Sequence, residues 1–253
     1  MSVKIAILNQ KGGVGKTTTA VNLGSYLGKA GKRVLLTDLD PQGNATSGLG
    51  IDKNTLDETM YDALFQPEAA PSIVRDTEFT NLQVLPANAN LAGAEVQLVS
   101  SLQREVKLKE VLDQFDHEYI LIDCPPSLGL LTINALTAAD YVLIPVQNEY
   151  YALEGLSQLI SVIERVQSAL NSQLTILGVV LTMFDSRNSL SQQVKDELKK
   201  HFGDKLFTTI IPRNVRLAEA PSFGKPIGEH DKWSKGARAY KQLAKEVISR
   251  VGR

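Results

Sequence analysis

The stretch Val3-Lys4-Ile5-Ala6-Ile7-Leu8-Asn9-Gln10-Lys11-Gly12-Gly13-Val14-Gly15-Lys16-Thr17-Thr18 decides how this chain is read. Val3–Asn9 is an apolar run of the length of a buried strand, and Lys16–Ala30 reads as a helix ended by Gly31. Between them Gly12, Gly13 and Gly15 let the backbone bend tightly and bring its N–H groups close to an anion. The start of the helix adds unpaired donors and partial positive charge. Strand, glycine loop and a helix opening on Gly-Lys-Thr together make a phosphate cradle. In it Gly12, Gly13, Val14 and Gly15 line the loop. Lys16 reaches the β- and γ-phosphates of a nucleotide, the Thr17 hydroxyl sits on Mg²⁺, and Thr18 donates to the α-phosphate.

Two features of the loop depart from the usual spacing G-x-x-x-x-G-K-[ST]. Gln10 stands where glycine is expected, and a second lysine, Lys11, sits at the mouth. The loop backbone fills the space through which Lys11 would fold back onto its own phosphates. It is therefore either a solvated surface lysine or a second cation for a nucleotide on another subunit, where it would stabilise the transferring phosphoryl group.

Outward from the loop, short apolar runs alternate with longer amphipathic stretches. Strands are expected at Arg33–Asp38, Leu82–Leu85, Tyr119–Asp123, Tyr141–Val146, Leu174–Leu181 and Leu206–Ile211. Helices are expected at Leu56–Phe65, over most of Leu91–Phe115, and at Leu131–Ala138, Leu153–Leu170, Leu190–Phe202 and Ala237–Val251. Val34-Leu35-Leu36 and Ile120-Leu121-Ile122 are continuously apolar, as strands covered on both faces are. The rhythm predicts an α/β fold with a doubly wound, mostly parallel sheet flanked by helices. With no Gly/Ser linker, repeat or low-complexity segment, residues 1–253 read as one domain.

Two of the strands end in acid. Arg33–Asp38 runs into Asp38-Leu39-Asp40-Pro41-Gln42-Gly43-Asn44, and Tyr119–Asp123 into Cys124-Pro125-Pro126. The carboxyl ends of neighbouring parallel strands converge on the ligand crevice. Asp123 is assigned to the Walker B role toward Mg²⁺, Asp38 to an outer contact with the ion, and Asp40 to the hydrolytic water. Asn148, Glu149 and Tyr150 follow another strand end and face either the crevice or a dimer partner.

Composition bounds the rest. Apolar residues make up 43% of the chain and charged residues 22%, an ordinary globular balance. The formal net charge of -1 hides an asymmetry, because Arg187–Arg253 holds 15 Lys/Arg against 7 Asp/Glu. Two readings are open: an anionic partner for that end, or a lysine-rich solvated surface. The single cysteine, Cys124, cannot form an internal disulfide and reads as a small buried residue. No apolar run approaches the roughly 18 residues of a membrane span, so a cytoplasmic location is expected. His117, His201 and His230 have no ligand spacing, and Trp233 is expected to pack near the start of the last helix.

These residues carry a resemblance. Lys11-Gly12-Gly13-Val14-Gly15-Lys16-Thr17 resembles the deviant Walker A box of the MinD/ParA superfamily, and Asp38-Leu39-Asp40-Pro41-Gln42-Gly43-Asn44-Ala45-Thr46 its next box. Ile122–Gly129, Pro145–Gly155 and Ile211–Ser222 are similar to the chromosomal ParA/Soj branch of P-loop ATPases. The resemblance implies a DNA-partitioning ATPase with ATP and Mg²⁺ as cofactors. It implies an ATP-sandwich homodimer, binding to double-stranded DNA without sequence preference, and slow hydrolysis stimulated by a ParB/Spo0J-type centromere-binding protein. Such a protein is cytoplasmic and nucleoid-associated. The resemblance gives Lys11 a role across the dimer, Asp40 a catalytic one, and Pro212 and Asn214 a place near adenine. It also puts Arg187 and Arg216 on the DNA-binding surface, where the basic excess supplies a phosphate footprint.

The alternative is a membrane-associated ATPase of the MinD kind in division-site placement. It would need an exposed apolar face on the last helix, and the stripe Tyr240, Leu243, Ala244, Val247, Ile248 and Val251 reads instead as a face docked on the core. An iron–sulfur reductase is excluded because one cysteine per chain cannot supply the ligands.

Overall fold

The computed structural model describes residues 2–148 and 152–252. Seven strands, β1 (Val3–Ile7), β2 (Val34–Asp38), β3 (Arg75–Asp76), β4 (Leu82–Leu85), β5 (Tyr119–Asp123), β6 (Tyr141–Gln147) and β7 (Thr175–Thr182), form one sheet in the order β3-β4-β2-β5-β1-β6-β7. All pairings are parallel except the short edge strand β3 against β4. Successive side chains of a strand point to opposite faces, and both faces here are buried. Ala6, Leu35, Ile120, Ile122, Val142 and Ile144 meet the helices at 60–65, 92–99, 107–112, 130–138, 152–169 and 189–202 on one side. Ile5, Ile7, Val34, Leu36, Leu121 and Leu143 meet Lys16–Lys29 and Lys235–Val251 on the other. This is the doubly wound arrangement that the apolar runs predict. The stripe on the last helix is spent inside it: Tyr240, Leu243, Ala244 and Val247 are buried, and Ile248 and Val251 pack on the same core.

Registers bring the acidic strand ends side by side. Asp38 pairs with Asp123 across β2 and β5, and Ile7 pairs with Asp123 across β1 and β5. The glycine loop leaves β1 at that same edge.

Four expectations are corrected. Leu206–Ile211 is not a strand. It lies beside β7 and bonds to it twice, Phe207 N to Val179 O at 2.8 Å and Ile211 N to Leu181 O at 2.8 Å. Between these points the Thr208 and Thr209 N–H groups both donate to the Glu246 carboxylate at 2.9 Å, and both hydroxyls do too. A side-chain acceptor from the last helix has outcompeted the ladder. Arg250 completes the joint, pairing with Glu246 at 2.9 Å and stacking 3.8 Å from the Phe207 ring centroid. In β7, Gly178 (φ +157°) carries the irregularity against β6, and a Cβ there would sit 2.3 Å from Lys205 O. The bulge and the missing strand are one construction.

The helical stretch expected over most of Leu91–Phe115 is two short helices, Ala92–Val99 and Lys107–Leu112, with a break between them. Ser100 and Ser101 hydroxyls donate to Gln97 O, closing the first helix locally. Asn134 opens the second by accepting from Leu108 N at 3.1 Å. Likewise the helix expected from Leu56 begins only at Met60, behind a Thr59/Asp62 capping box. Trp233 is not packed: it is 78% exposed. Ser234 caps the last helix, so Trp233 precedes the cap, where a staple would need an apolar residue at Arg238.

Burial opposes the charge of Glu246, but the Thr209 hydroxyl, the two N–H groups and Arg250 prevail and hold its carboxyl below the usual range. A lowered carboxyl contributes stability above its unfolded value and loses it as pH falls through the folded one. Glu246→Ala is expected to cost about 2–4 kcal/mol near neutral pH, since two N–H groups and Arg250 lose their acceptor. Urea melts should show that cost shrinking below about pH 4, the carboxylate range.

Candidate functional site

The loop after β1 is held from three directions. Asn9 Nδ2 donates to Pro145 O on β6 at 2.8 Å, and its Oδ1 accepts from Lys11 N at 3.0 Å. Thr182 at the end of β7 donates its hydroxyl to Val14 O at 2.8 Å. Gln10, the residue in place of glycine, donates to Gly155 O at 3.0 Å and Gln158 Oε1 at 3.1 Å on the 152–169 helix. The substitution exchanges a flexible hinge for a clamp. Gly13 (φ +73°) and Gly15 (φ +87°) adopt the left-handed backbone that lets the loop close onto the helix.

The two lysines of the loop go to opposite places. Lys16 is 6% exposed and donates to Lys11 O at 3.3 Å. Burial lowers its pKa, against the attraction of Asp123 and, more weakly, Asp40. Lys11 is exposed at the rim of a cleft it shares with Gln10, Pro126, Ser127, Leu128, Gly155 and Gln158.

The three aspartates gather around Asp123, which faces Lys16, but they are held differently. Asp38 is fully buried and its oxygens are taken, Oδ2 by Thr46 N (2.8 Å) and Thr46 Oγ1 (2.7 Å), Oδ1 by Asp40 N (3.2 Å). Thr46 Oγ1 in turn accepts from Ala87 N at 3.0 Å. Asp38 thus folds the 38–46 segment back on itself, a role invisible in the sequence because nothing marks Thr46 as its partner. Burial pushes its carboxyl up to about 6 despite those bonds. Asp40 accepts from Gln42 N at 2.9 Å.

Asp123 is the exception. It is fully buried and neither carboxylate oxygen makes a hydrogen bond of good geometry. Burial drives its pKa well up, and Asp38 and Asp40 push the same way. Only the nearby Thr17 hydroxyl and Lys16 favour the charged form. Two orphaned, buried carboxylate oxygens beside a threonine hydroxyl are a donor set that suits a hard divalent cation. Cys124 next to it is buried, and burial pushes its thiol far up, so it serves as packing.

Beside the loop opens a cavity of about 440 Å³ lined by Gly15, Thr18, Thr182, Ile211, Pro212, Asn214, Val215 and Tyr240 among others. Pro212 and Asn214 are therefore on the same wall as the helix start, through residues the sequence places almost 200 positions away. Asn214 also caps the Val215–Glu219 helix, its Oδ1 accepting from Arg216 N at 2.8 Å. Met183 (φ +51°) and Tyr240 join this wall without any signal in the sequence.

Arg187 and Arg216 lie outside the cavity, on neighbouring segments joined by the Phe184–Pro212 bridge. Both are exposed and each is paired within the chain. Arg187 binds Asp185 (Nε 3.0 Å, Nη2 2.8 Å), and Arg216 binds Glu219 (2.9 Å) with Asp231 at 3.6 Å. Asn148 follows β6 with its side-chain oxygen buried and unpartnered. Glu149 and Tyr150 lie outside the described residues. Among the described residues no helix is long and apolar enough to cross a membrane.

A parallel sheet, a glycine loop from its first strand into a helix, a buried lysine, and aspartates on two adjoining strand ends define a P-loop nucleotide-binding protein. Residues 2–176 match the family described as "AAA domain". The chain is 60% identical over 247 residues to the sporulation initiation inhibitor protein Soj of Bacillus subtilis, covering 97% of this chain and 98% of that protein. It is 52% identical over 250 residues to the chromosome partitioning protein ParA of Caulobacter vibrioides, covering 97% and 94%. Among solved structures it resembles the cobyrinic acid a,c-diamide synthase of Mycobacterium smegmatis with bound ADP and magnesium (TM-score 0.87, 37% identity, 100% and 97% coverage). It also resembles the septum site-determining protein MinD of Pyrococcus horikoshii complexed with Mg-ADP (TM-score 0.80, 27% identity, 100% and 98% coverage). The chain belongs to the Soj/ParA family of chromosome-partitioning ATPases.

Proposed function

We propose that residues 1–253 act as one nucleotide-driven partition switch. The protein binds Mg·ATP and pairs face to face with a second copy around the nucleotides. In that state it binds double-stranded DNA without sequence preference. It hydrolyses ATP slowly until a ParB/Spo0J-type partner engages it, working in the cytoplasm on the nucleoid. The observation that carries this reading is the division of labour on one loop: Lys16 is buried against the site, while Lys11 is exposed at its rim. A cation facing out of its own cradle suits a nucleotide held by a second copy.

Gly12, Gly13, Val14, Gly15, Thr17 and Thr18 cradle the phosphates in this reading, and Pro212 and Asn214 flank the base. Thr17 and Asp123 hold Mg²⁺, with Asp38 supporting them through the loop it folds. The ion, when bound, draws charge off the phosphate oxygens. Asp40, held at the loop start by its bond to Gln42 N, orients the attacking water. A membrane-bound mode is disfavoured because the apolar stripe of the last helix is used in the core.

Sizing Asp40→Ala with ATP tests the reading. The variant should elute as a dimer with ATP and as a monomer with ADP. A monomer that still turns over at the wild-type rate would overturn both the sandwich and the role of Asp40.

A further inference from the structure

Trp233 is the single tryptophan of the chain, and it stands 78% exposed with the Lys232 ammonium 5.3 Å from its ring centroid. Phe223 and Val215 are also exposed, at 63% and 72%. Phe223 and Trp233 lie at the two ends of one chain of contacts, and Val215 directly precedes the arginine in its middle. Phe223 stacks on His230 at 4.9 Å, His230 lies 3.7 Å from Glu219, Glu219 binds Arg216 at 2.9 Å, and Arg216 reaches Asp231, which caps Trp233 N at 3.1 Å. Around them, Arg213–Lys241 holds seven Lys/Arg against three Asp/Glu.

Large apolar tips left in water in a group mark a contact surface. A lipid surface rewards a continuous apolar cap, whereas here an ionic network lies between the tips. A nucleic-acid duplex alternates anionic phosphates with the apolar surfaces of its sugars, which matches cations interleaved with aromatic rings. Arg216's exposed ion pairs are worth little in water, so they exchange readily for a phosphate.

We propose that Trp233, supported by Phe223, is a DNA contact that adds a non-ionic component to binding at this face. The inference rests on the DNA-binding reading above. Its signature is separable from that of the arginines. Losing a phosphate contact lowers the salt slope of binding by about one; losing an aromatic contact lowers affinity and leaves the slope alone.

The test uses the full chain with a non-hydrolysable ATP analogue, a random-sequence DNA duplex, and vesicles of anionic phospholipid. Trp233 emission should change on adding duplex and not on adding vesicles. Trp233→Ala should weaken duplex binding about tenfold, the scale of truncating one large aromatic contact at an interface, at unchanged salt slope. Trp233→Phe should restore most of it. Melting curves matching wild type verify that the variants fold. Wild-type affinity in Trp233→Ala, or emission blind to a duplex that binds, would remove Trp233 from the interface while leaving the DNA reading intact. An emission change on vesicles alone would reassign the face to lipid. A wild-type protein that binds no duplex with the analogue would overturn the DNA reading itself, and this inference with it.

Discussion

Lys16→Ala should lose ATP turnover by a factor on the order of 10³, the scale seen when one preorganised cation or donor is taken from a developing phosphoryl charge. It should also lose the rise in melting temperature that ATP gives the wild type. At 100 times the dissociation constant a ligand stabilises a protein by about 2.7 kcal/mol, which is about 5–10 °C for a chain of this size. Lys11→Ala should separate the two effects. Its side chain is exposed at the rim, so the variant should keep most of the ATP-induced rise, because its own cradle is whole. It should nevertheless turn over as poorly as Lys16→Ala and fail to dimerise on a sizing column. Hydrolysis by Lys11→Ala at the wild-type rate would reduce this residue to a solvated surface lysine, the other reading its position allows.

The second large effect runs against intuition: Asp123→Asn should stabilise the nucleotide-free protein. Asp123 is buried with no hydrogen bond of good geometry to either oxygen, only the nearby Thr17 hydroxyl beside it, and three carboxyls, Asp38, Asp40 and Asp123, share the neighbourhood with one ammonium, Lys16. Removing one negative charge from that set leaves Lys16 still outnumbered, so the lost attraction does not reverse the sign. Relieving an uncompensated buried charge gives about 1–4 kcal/mol, or several degrees of melting temperature. The sign with pH follows from the raised pKa. A carboxyl raised on folding contributes fully below its unfolded value and loses that contribution as pH rises through its folded one. Asp38, pushed up to about 6, and Asp123, higher than its ordinary range, both follow this course. The advantage of Asp123→Asn should therefore be greatest at neutral pH and above and fade toward pH 4. Mg·ATP should add little further stability to the variant, whereas it should raise the wild type strongly. A variant melting below wild type at pH 8 would mean that the carboxylate is compensated, and the cation assignment would lose its support.

Both effects concern a site most of whose members can be picked out along the chain. A glycine loop, Lys16 and strand-end aspartates are local features: each depends on residue type within a few positions, on backbone freedom at glycine, and on where an apolar run stops. For the same reason β1, β2, β5 and the helix after the loop are legible, since burial on both faces imposes a continuous apolar composition. The helix start at Leu56 failed on a local capping box, but at Leu206–Ile211 and within Leu91–Phe115 a distant side chain took the backbone's hydrogen bonds. Glu246 takes those of Thr208 and Thr209, and Asn134 that of Leu108. Propensity carries no record of such competition.

By itself, then, the sequence determined the class of fold and the chemistry of the phosphate loop, because both are written in short-range pattern. Tertiary structure alone decided how the carboxyls differ. Asp38 and Asp123 are the same residue at the same kind of strand end, in register with each other. Thr46 and the Asp40 N–H satisfy one of them, and the other has no hydrogen bond of good geometry. Structure likewise turned Gln10 into a clamp on the 152–169 helix and left Trp233 in solvent. The physical reason is common to all: a side chain's role depends on which partners the fold brings within about 3 Å, the length of a hydrogen bond, and residue type alone does not say which those are.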